Sequence, residues 1–352
     1  MSAPSRRPEL TVSCAPPLAP VALISAAALA YEVLLMRLLA ILQWHHFAYM
    51  IVSLALLGYG ASGSLLALGG GRLVTRFPAA FTASAMLFST SAAGCFFLAQ
   101  ALPFNALELP WDPWQLARLA GIFLLLALPF LFAGGCVCLA LERYRYGAHR
   151  VYAWDIVGAG AGSLGALGLL YLLPPLVALK GVVLLGTLAA AWAWRGLGLA
   201  PRWGAAFPLA LGAALAALLP AGSGALRPSE FKELPQLLQV QGVRMLEERW
   251  SPLGWLTVLE SPRVPFRHAP GLSLHAPAEP PAQLGLLTDG EGMSPIVGHD
   301  GRSPPAYLGY LTSALPYSLL SRPRVLVLGA GGGAEVLQAL AHGAETVDAV
   351  EL

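Results

Sequence analysis

Long apolar runs separated by short polar loops make up the first 220 residues of the chain. Seven runs approach or exceed the ~20 residues that cross a bilayer as a helix. They cover residues 18–42, 47–70, 79–102, 116–141, 151–173, 175–194 and 203–220. The last run is short and rich in alanine. The fifth contains the stretch VGAGAGSLGALG, whose small residues predict a close helix-packing face in lipid.

The pattern changes after Pro220. Two short runs, GWLTVLES at 254–261 and QLGLLTDG at 283–290, predict β-strands on either side of a proline-rich loop. The last residues, RPRVLVLGAGGGAEVLQALAHGAETVDAVEL, predict a buried strand, a glycine turn, a helix and a second strand that ends in an acid. The predicted order is an N-terminal tail (1–17), a transmembrane domain of about seven helices (18–220), a linker (221–249), a small β-rich lead-in (250–321) and the start of an α/β, Rossmann-like domain (322–352).

Composition supports the membrane assignment. Hydrophobic residues make up 57% of the chain and charged residues 11%, against about 25% charged in soluble domains. Residues 1–220 carry 12 Lys or Arg and 6 Asp or Glu, whereas residues 221–352 carry 9 and 13. The acidic part has no basic patch, which argues against nucleic acid as a partner. The four cysteines form no CxxC pair, so we expect no metal site.

The arginines concentrate in alternate loops, at Arg6, Arg7, Arg72, Arg76, Arg143, Arg145, Arg150, Arg195 and Arg202. The positive-inside rule therefore places the N-terminus in the cytoplasm. Seven crossings would then put residue 221 onward outside, whereas nucleotide-type cofactors are cytoplasmic. On this chemistry we favour a cytoplasmic tail, which requires a different number of crossings.

Among the charged residues of the predicted spans, the intramembrane polar candidates are Glu32, Arg37, Asp155 and Lys180, whereas Arg118 lies near a membrane end. Glu32 and Arg37 are about 140° apart around a helix, so they are not expected to pair with each other. Charged groups in lipid are costly and mark either a partner on a neighbouring helix or a transport or proton pathway. Both alternatives stay open at the level of sequence.

The glycine turn carries the clearest chemical signal. Gly329, Gly331 and Gly333 follow the strand VLVL, and a side chain at these positions would block a ligand from approaching the backbone. Glu351 follows Gly331 by 20 residues, where a carboxylate can accept both hydroxyl groups of a ribose. The pattern fits NAD or FAD, and it also fits S-adenosylmethionine or a relative.

The tail resembles the polyamine aminopropyltransferase (spermidine synthase) family, in its membrane-fused bacterial form. WSPLGWLTVLES resembles the opening hairpin of that family, LLTDGEG its Leu-Asp-Gly strand, PPAYLGYLTSALPYSLLSRPRVLVLGAGGG its tyrosine-bearing helix and glycine loop, and VDAVEL its ribose-binding strand. AYEVLLMRLL is similar to the start of the membrane region of the fused proteins. The resemblance implies a methyltransferase-like fold and a multi-pass location in the bacterial inner membrane.

The resemblance also implies the ligands. Gly329, Gly331, Gly333 and Glu351 would bind S-adenosylmethionine or its decarboxylated form as a substrate, without a metal. Asp289 and Tyr307 would face a polyamine or other amine, although most of the family's polyamine-binding positions are replaced. A possible further partner is a second copy of the chain. Because the family's catalytic acid lies on a later loop, the chain is expected to be a truncated and inactive copy.

Three functions follow from these observations. The first is transfer of an alkyl or aminopropyl group from a sulfonium to an amine. The second is a membrane transporter or sensor with a degenerate nucleoside-binding tail. The third is an NAD-binding membrane oxidoreductase.

Overall fold

A computed structural model describes residues 15–43, 45–299 and 304–351. These residues form two compact units. The described part of the first unit contains residues 15–36, 49–169 and 175–222, and that of the second contains 37–43, 45–48, 170–174, 223–299 and 304–351. Arg6, Arg7 and one of the four cysteines, Cys14, which the sequence analysis counts, lie outside the described residues.

Helices account for most of the described residues up to position 220. They are α1 (Leu18–Leu42), α2 (His45–Gly69), α3 (Gly71–Thr75), α4 (Phe77–Ala101), α5 (Pro113–Arg143), α6 (Ala148–Leu172), α7 (Pro175–Gly196) and α8 (Ala206–Leu218). Within the described residues, six helices are long and apolar enough to cross a membrane. The seventh apolar run forms α8, whose 13 residues reach about 20 Å, less than the ~30 Å of the hydrocarbon core. The chain is thus compatible with a multi-pass membrane protein with six long spans.

The glycine-rich stretch in α6 packs on α1. A β-carbon at Gly158 would lie 2.2 Å from the carbonyl oxygen of Ala22, and one at Gly162 would lie 2.1 Å from that of Ala26. The two glycines and the two alanines each recur after four residues, so both helices present small residues along the contact. The prediction that this stretch is a helix-packing face is confirmed.

The second unit contains an antiparallel sheet of four strands in the order β1-β2-β3-β4. The strands are β1 (Arg244–Trp250), β2 (Trp255–Glu260), β3 (Gln283–Thr288) and β4 (Glu291–Val297). The predicted runs correspond to β2 and β3. β1 begins inside the predicted linker, so the boundary at residue 250 is wrong. A short helix, α9 (Glu233–Leu238), precedes the sheet.

The end of the chain forms a β-α-β unit, as the sequence predicts. β5 (Arg324–Leu328) and β6 (Thr346–Val350) pair in parallel, and α11 (Ala334–Ala341) connects them. The tyrosine-bearing helix implied by the resemblance is instead two 3₁₀ turns, Ala306–Tyr310 and Thr312–Ala314, followed by the five-residue α10 (Leu315–Leu319). These observations establish a small sheet region after the helices, while a complete methyltransferase-like domain remains a prediction.

Candidate functional site

The turn between β5 and α11 requires glycine for its backbone conformation. Gly329, Gly331 and Gly333 have φ angles of 74°, 50° and 83°, in the left-handed region that residues with a β-carbon rarely adopt. Gly333 is the N-cap residue of α11. The spacing of the three glycines therefore reflects the path of the chain, whether or not a ligand is bound.

Strand β4 packs against the same turn. The Gly332 N–H donates to Ser294 Oγ at 2.8 Å, and a β-carbon at Gly332 would lie 2.3 Å from the carbonyl oxygen of Pro295. Gly333 also forms an isolated antiparallel bridge with Ile296. Close approach of protein backbone thus explains the glycine at position 332.

Glu351 lies at the turn, as its spacing predicts. Its carboxylate accepts a hydrogen bond from the Gly331 N–H, and both residues are exposed. In the described part of the chain, the other carboxylate oxygen has no hydrogen-bond partner. The structure brings Gly329, Gly331, Gly333 and Glu351 together at the carboxyl ends of two parallel strands, where nucleotide ligands bind in open α/β sheets.

Tyr307 is only 2% exposed. Burial raises the pKa of its hydroxyl, so this group stays protonated at neutral pH. The neighbouring segment is attached to α11 because Gln338 Nε2 donates to the Leu308 carbonyl at 2.8 Å and Gln338 Oε1 accepts from Ser313 Oγ at 2.9 Å. The proposed role of Tyr307 at a substrate stays a prediction, and its burial also explains it as a core residue.

Asp289 occupies the two-residue turn between β3 and β4. Asp289 and Gly290 both have positive φ angles, 54° and 76°, as in the type I′ turns that join hairpin strands. The Asp289 carboxylate accepts hydrogen bonds from both terminal nitrogens of Arg37, one of them at 2.7 Å, and from the Trp255 N–H at 2.8 Å. A partner on a neighbouring helix was one of the two alternatives for Arg37, and its partner is instead this hairpin.

Lys232 completes the contact between the end of α1 and the hairpin. Its ammonium donates to the carbonyls of Ala40 and Asp289, both at 2.8 Å, and lies 3.9 Å from Glu291 Oε2. Burial lowers the pKa of Lys232, and the two carboxylates oppose that shift. The last carbonyls of a helix have no partner within it. Lys232 satisfies one, and the Ser229 N–H satisfies the Leu42 carbonyl at 2.8 Å.

Strand β4 therefore connects two parts of the second unit. Its first residues adjoin the cluster of Arg37, Lys232 and Asp289, which we call the hairpin anchor. Its Ser294, three residues later than Glu291, contacts the glycine turn. At ~3.4 Å per residue these contacts lie about 10 Å apart along the strand. A displacement of β4 would therefore change the contacts with both the hairpin anchor and the glycine turn.

The other charged residues of the spans behave differently. Asp155 on α6 accepts a hydrogen bond from Ser25 on α1, which agrees with a structural contact between neighbouring helices. Within the described ranges, Glu32 and Lys180 form no ion pair. Their proposed transport or proton role stays a prediction.

Comparison of the chain with protein-family models, curated proteins and solved structures gives no match. Across the residues that the structure describes, no group of three or more His, Cys, Asp or Glu side chains could hold a metal ion. A function therefore has to be inferred from the geometry of the glycine turn and of the hairpin anchor.

Proposed function

We propose that the glycine turn binds the ribose of a sulfonium nucleoside, S-adenosylmethionine or its decarboxylated form. The observation that carries this proposal is the exposed Glu351 carboxylate, attached to the turn by the Gly331 N–H. Its second oxygen is available for a ribose hydroxyl, and a rotation of the side chain would make the first available as well. A carboxylate is the acceptor that ribose hydroxyls require.

The proposed reaction is transfer of an aminopropyl or alkyl group from the sulfonium to an amine, as in the spermidine synthase-like proteins that the tail resembles. The amine nitrogen attacks the carbon attached to sulfur, the carbon–sulfur bond breaks, and the sulfur leaves as a neutral thioether. A base takes the proton that the amine loses. Because the sulfonium is already a good leaving group, the protein supplies chiefly proximity and that base. To the residues present we assign nucleoside binding alone.

Binding of labelled S-adenosylmethionine, its decarboxylated form and methylthioadenosine to the full chain in nanodiscs tests the proposal. Glu351→Gln replaces a charged acceptor with a neutral one. A hydrogen bond to a charged group contributes about 1.5–3 kcal/mol, so we expect the Kd to rise about 10- to 150-fold. Glu345→Gln is the control, since Glu345 is exposed at the opposite end of β6.

Two outcomes would contradict this function. One is the absence of binding for all three nucleosides at millimolar concentration. The other is binding of NAD without binding of any sulfonium nucleoside, which would favour the membrane oxidoreductase.

A membrane sensor is the second candidate, and the course of β4 favours it. The same strand contacts the glycine turn through Ser294 and continues from the turn held by Arg37, at the end of α1. A nucleoside that displaces the glycine turn would move β4 and thereby the hairpin anchor. Coupling between two sites typically changes an affinity 5- to 150-fold.

Asp289→Asn tests this coupling, because Asn tolerates the positive φ of the turn and keeps an acceptor for the Trp255 N–H. The sensor requires nucleoside affinity to change at least fivefold in Asp289→Asn. It also requires no change in Glu260→Gln, a partly exposed acid on β2 that pairs with Arg244. Equal affinities in both variants would exclude coupling through the anchor.

A further inference from the structure

A cavity of about 610 Å³ lies where the end of α7 meets the start of α8. Two arginines, Arg195 and Arg202, and two tryptophans, Trp192 and Trp203, line it together with the apolar side chains of Leu188, Ala191, Ala205, Ala206 and Leu209. None of these residues belongs to the glycine turn or to the hairpin anchor. The cavity therefore needs an explanation of its own.

Local contacts of the connecting turn place both arginines at this cavity. Trp194 Nε1 donates to the Pro201 carbonyl at 3.0 Å, and the Trp194 carbonyl accepts from the Leu199 N–H at 3.1 Å. A β-carbon at Gly204 would lie 2.4 Å from the Trp194 ring, so the chain after the turn packs directly on that ring. Arg195 follows Trp194, and Arg202 begins the 3₁₀ turn Arg202–Ala205, so both arginines line one cavity.

Neither guanidinium is neutralised. Arg195 and Arg202 are exposed and have no carboxylate partner among the residues that the structure describes. Arg145, in another loop at an end of the spans, pairs with Glu142. Two unpaired cations at one cavity attract an anion, and guanidinium groups match the geometry of phosphate oxygens.

The remaining lining distinguishes a lipid from a free anion. Trp192 and Trp203 are 54% and 79% exposed, and tryptophan is enriched at the headgroup level of membranes. Leu188 lies seven residues before Arg195 on α7, about 10 Å further along the helix axis. The cavity thus has two cations at one end and an apolar helix surface at the other. This matches a phospholipid, which has an anionic phosphate and apolar acyl chains.

We propose that this cavity binds the headgroup phosphate of an anionic glycerophospholipid, with Arg195 and Arg202 as the phosphate ligands and the tryptophans beside the glycerol. The acyl chains lie along α7 and α8 near Leu188 and Leu209. Phosphatidylglycerol, which carries one phosphodiester charge and no compensating ammonium, is the simplest lipid of this class.

Competition in nanodiscs tests the proposal. The full chain is reconstituted in phosphatidylcholine with increasing phosphatidylglycerol, and native mass spectrometry counts retained anionic lipid. Each basic residue near an anionic membrane surface changes affinity about fivefold, so Arg195→Gln with Arg202→Gln should lower retention about 30-fold. Arg72→Gln with Arg76→Gln is the matched control, since this pair is also exposed between two spans and does not line this cavity.

The proposal expects loss of phosphatidylglycerol in the first double variant and retention in the control. It is overturned by equal retention in both variants, and by equal loss in both, which would indicate diffuse surface charge. Inorganic phosphate that displaces the lipid at equimolar concentration would assign the site to a free anion and overturn the lipid. Trp203→Ala should weaken retention without a change of charge, and an unchanged value would remove the tryptophan from the site. All of these measurements are independent of nucleoside binding.

Discussion

Loss of one partner of the hairpin anchor should destabilise the second unit substantially. In Arg37→Met the long apolar stem is kept and the guanidinium is removed. The Asp289 carboxylate then has only the backbone N–H of Trp255 as a described hydrogen-bond donor. Removal of one partner of a buried ion pair costs about 3–5 kcal/mol. Because Arg37 is 7% and Asp289 20% exposed, we expect the lower end, about 3 kcal/mol.

The magnitude follows from the size of the unit. A loss of 1 kcal/mol shifts the Tm of a domain of 100–150 residues by about 3–5 °C, so Arg37→Met should lower the Tm by about 10–15 °C. Trp250 and Trp255 supply a probe within this unit, since their rings stack with centroids 4.9 Å apart, and a Trp250→Phe variant identifies the part of the signal that comes from this pair. Their near-ultraviolet circular dichroism, followed on heating in detergent, reports the sheet.

Arg244→Met is the matched control. Arg244 also pairs with a carboxylate in the same sheet, that of Glu260, but it is 65% exposed, and exposed pairs contribute about 0–1 kcal/mol. The double variant Arg37→Met with Asp289→Asn removes both charges and should recover part of the loss. A Tm for Arg37→Met within 2 °C of that for Arg244→Met would refute the assignment of a buried, stabilising pair.

Three further expectations concern glycine packing and membrane sidedness. Gly332→Ala should destabilise the tail by more than 1 kcal/mol, because the new β-carbon would lie 2.3 Å from the Pro295 carbonyl; an unchanged Tm of the tryptophan signal would contradict the contact. Gly162→Val should weaken the association of α1 and α6 and lower detergent stability, whereas Gly165→Val should not, since a β-carbon at Gly165 meets nothing within 4 Å. A cysteine at fully exposed Leu274 should be protected from a membrane-impermeant maleimide in intact cells if the tail is a cytoplasmic transferase.

The elements with a strong local pattern could be predicted from the sequence. Apolar runs of about 20 residues have one stable form in lipid, so the six long helices follow from the apolar runs, whereas the seventh predicted run forms the short α8. The β-α-β unit follows as well, because VLVL favours a strand and the glycines of the turn adopt positive φ angles that other residues rarely adopt. The two strands that were missed lack such a pattern. β1, RMLEERW, is mostly exposed and has no apolar alternation. β4 contains Gly292 and Pro295, which argue against a strand in sequence. They are tolerated here because β4 lies at the edge of the sheet.

The contacts of the site could not be predicted to the same extent. Arg37 and Asp289 are 252 residues apart in the chain, and no local pattern relates a charge at the end of a span to a hairpin turn. Lys232 lay in a segment that reads as a linker, and its role depends on carbonyls at the end of α1 that only the folded chain brings within reach. Nothing in the sequence distinguishes Ser294 from other polar residues, because its role depends on the contact between β4 and the glycine turn in the folded chain. The position of Asp289 was indicated by its Asp-Gly turn, but its partner was not.

The hairpin anchor also bears on which side of the membrane the tail lies. Lys232 and Ser229 contact the last carbonyls of α1, which puts the tail on the side where the first span ends. The six long helices counted alone return residue 221 to the side of the N-terminus. The described loop arginines other than Arg118 follow the second, fourth and sixth of these helices, which also places them on the side of the N-terminus.

With the positive-inside rule, the contact with α1 predicts an extracytoplasmic tail and the six spans predict a cytoplasmic one. Sulfonium nucleosides require a cytoplasmic tail. The cysteine at Leu274, compared with one at Tyr146 in an arginine-containing loop, decides between the two. Protection at 274 supports the transferase and the nucleoside sensor. Labelling at 274 would put the glycine turn out of reach of cytoplasmic nucleosides and contradict both.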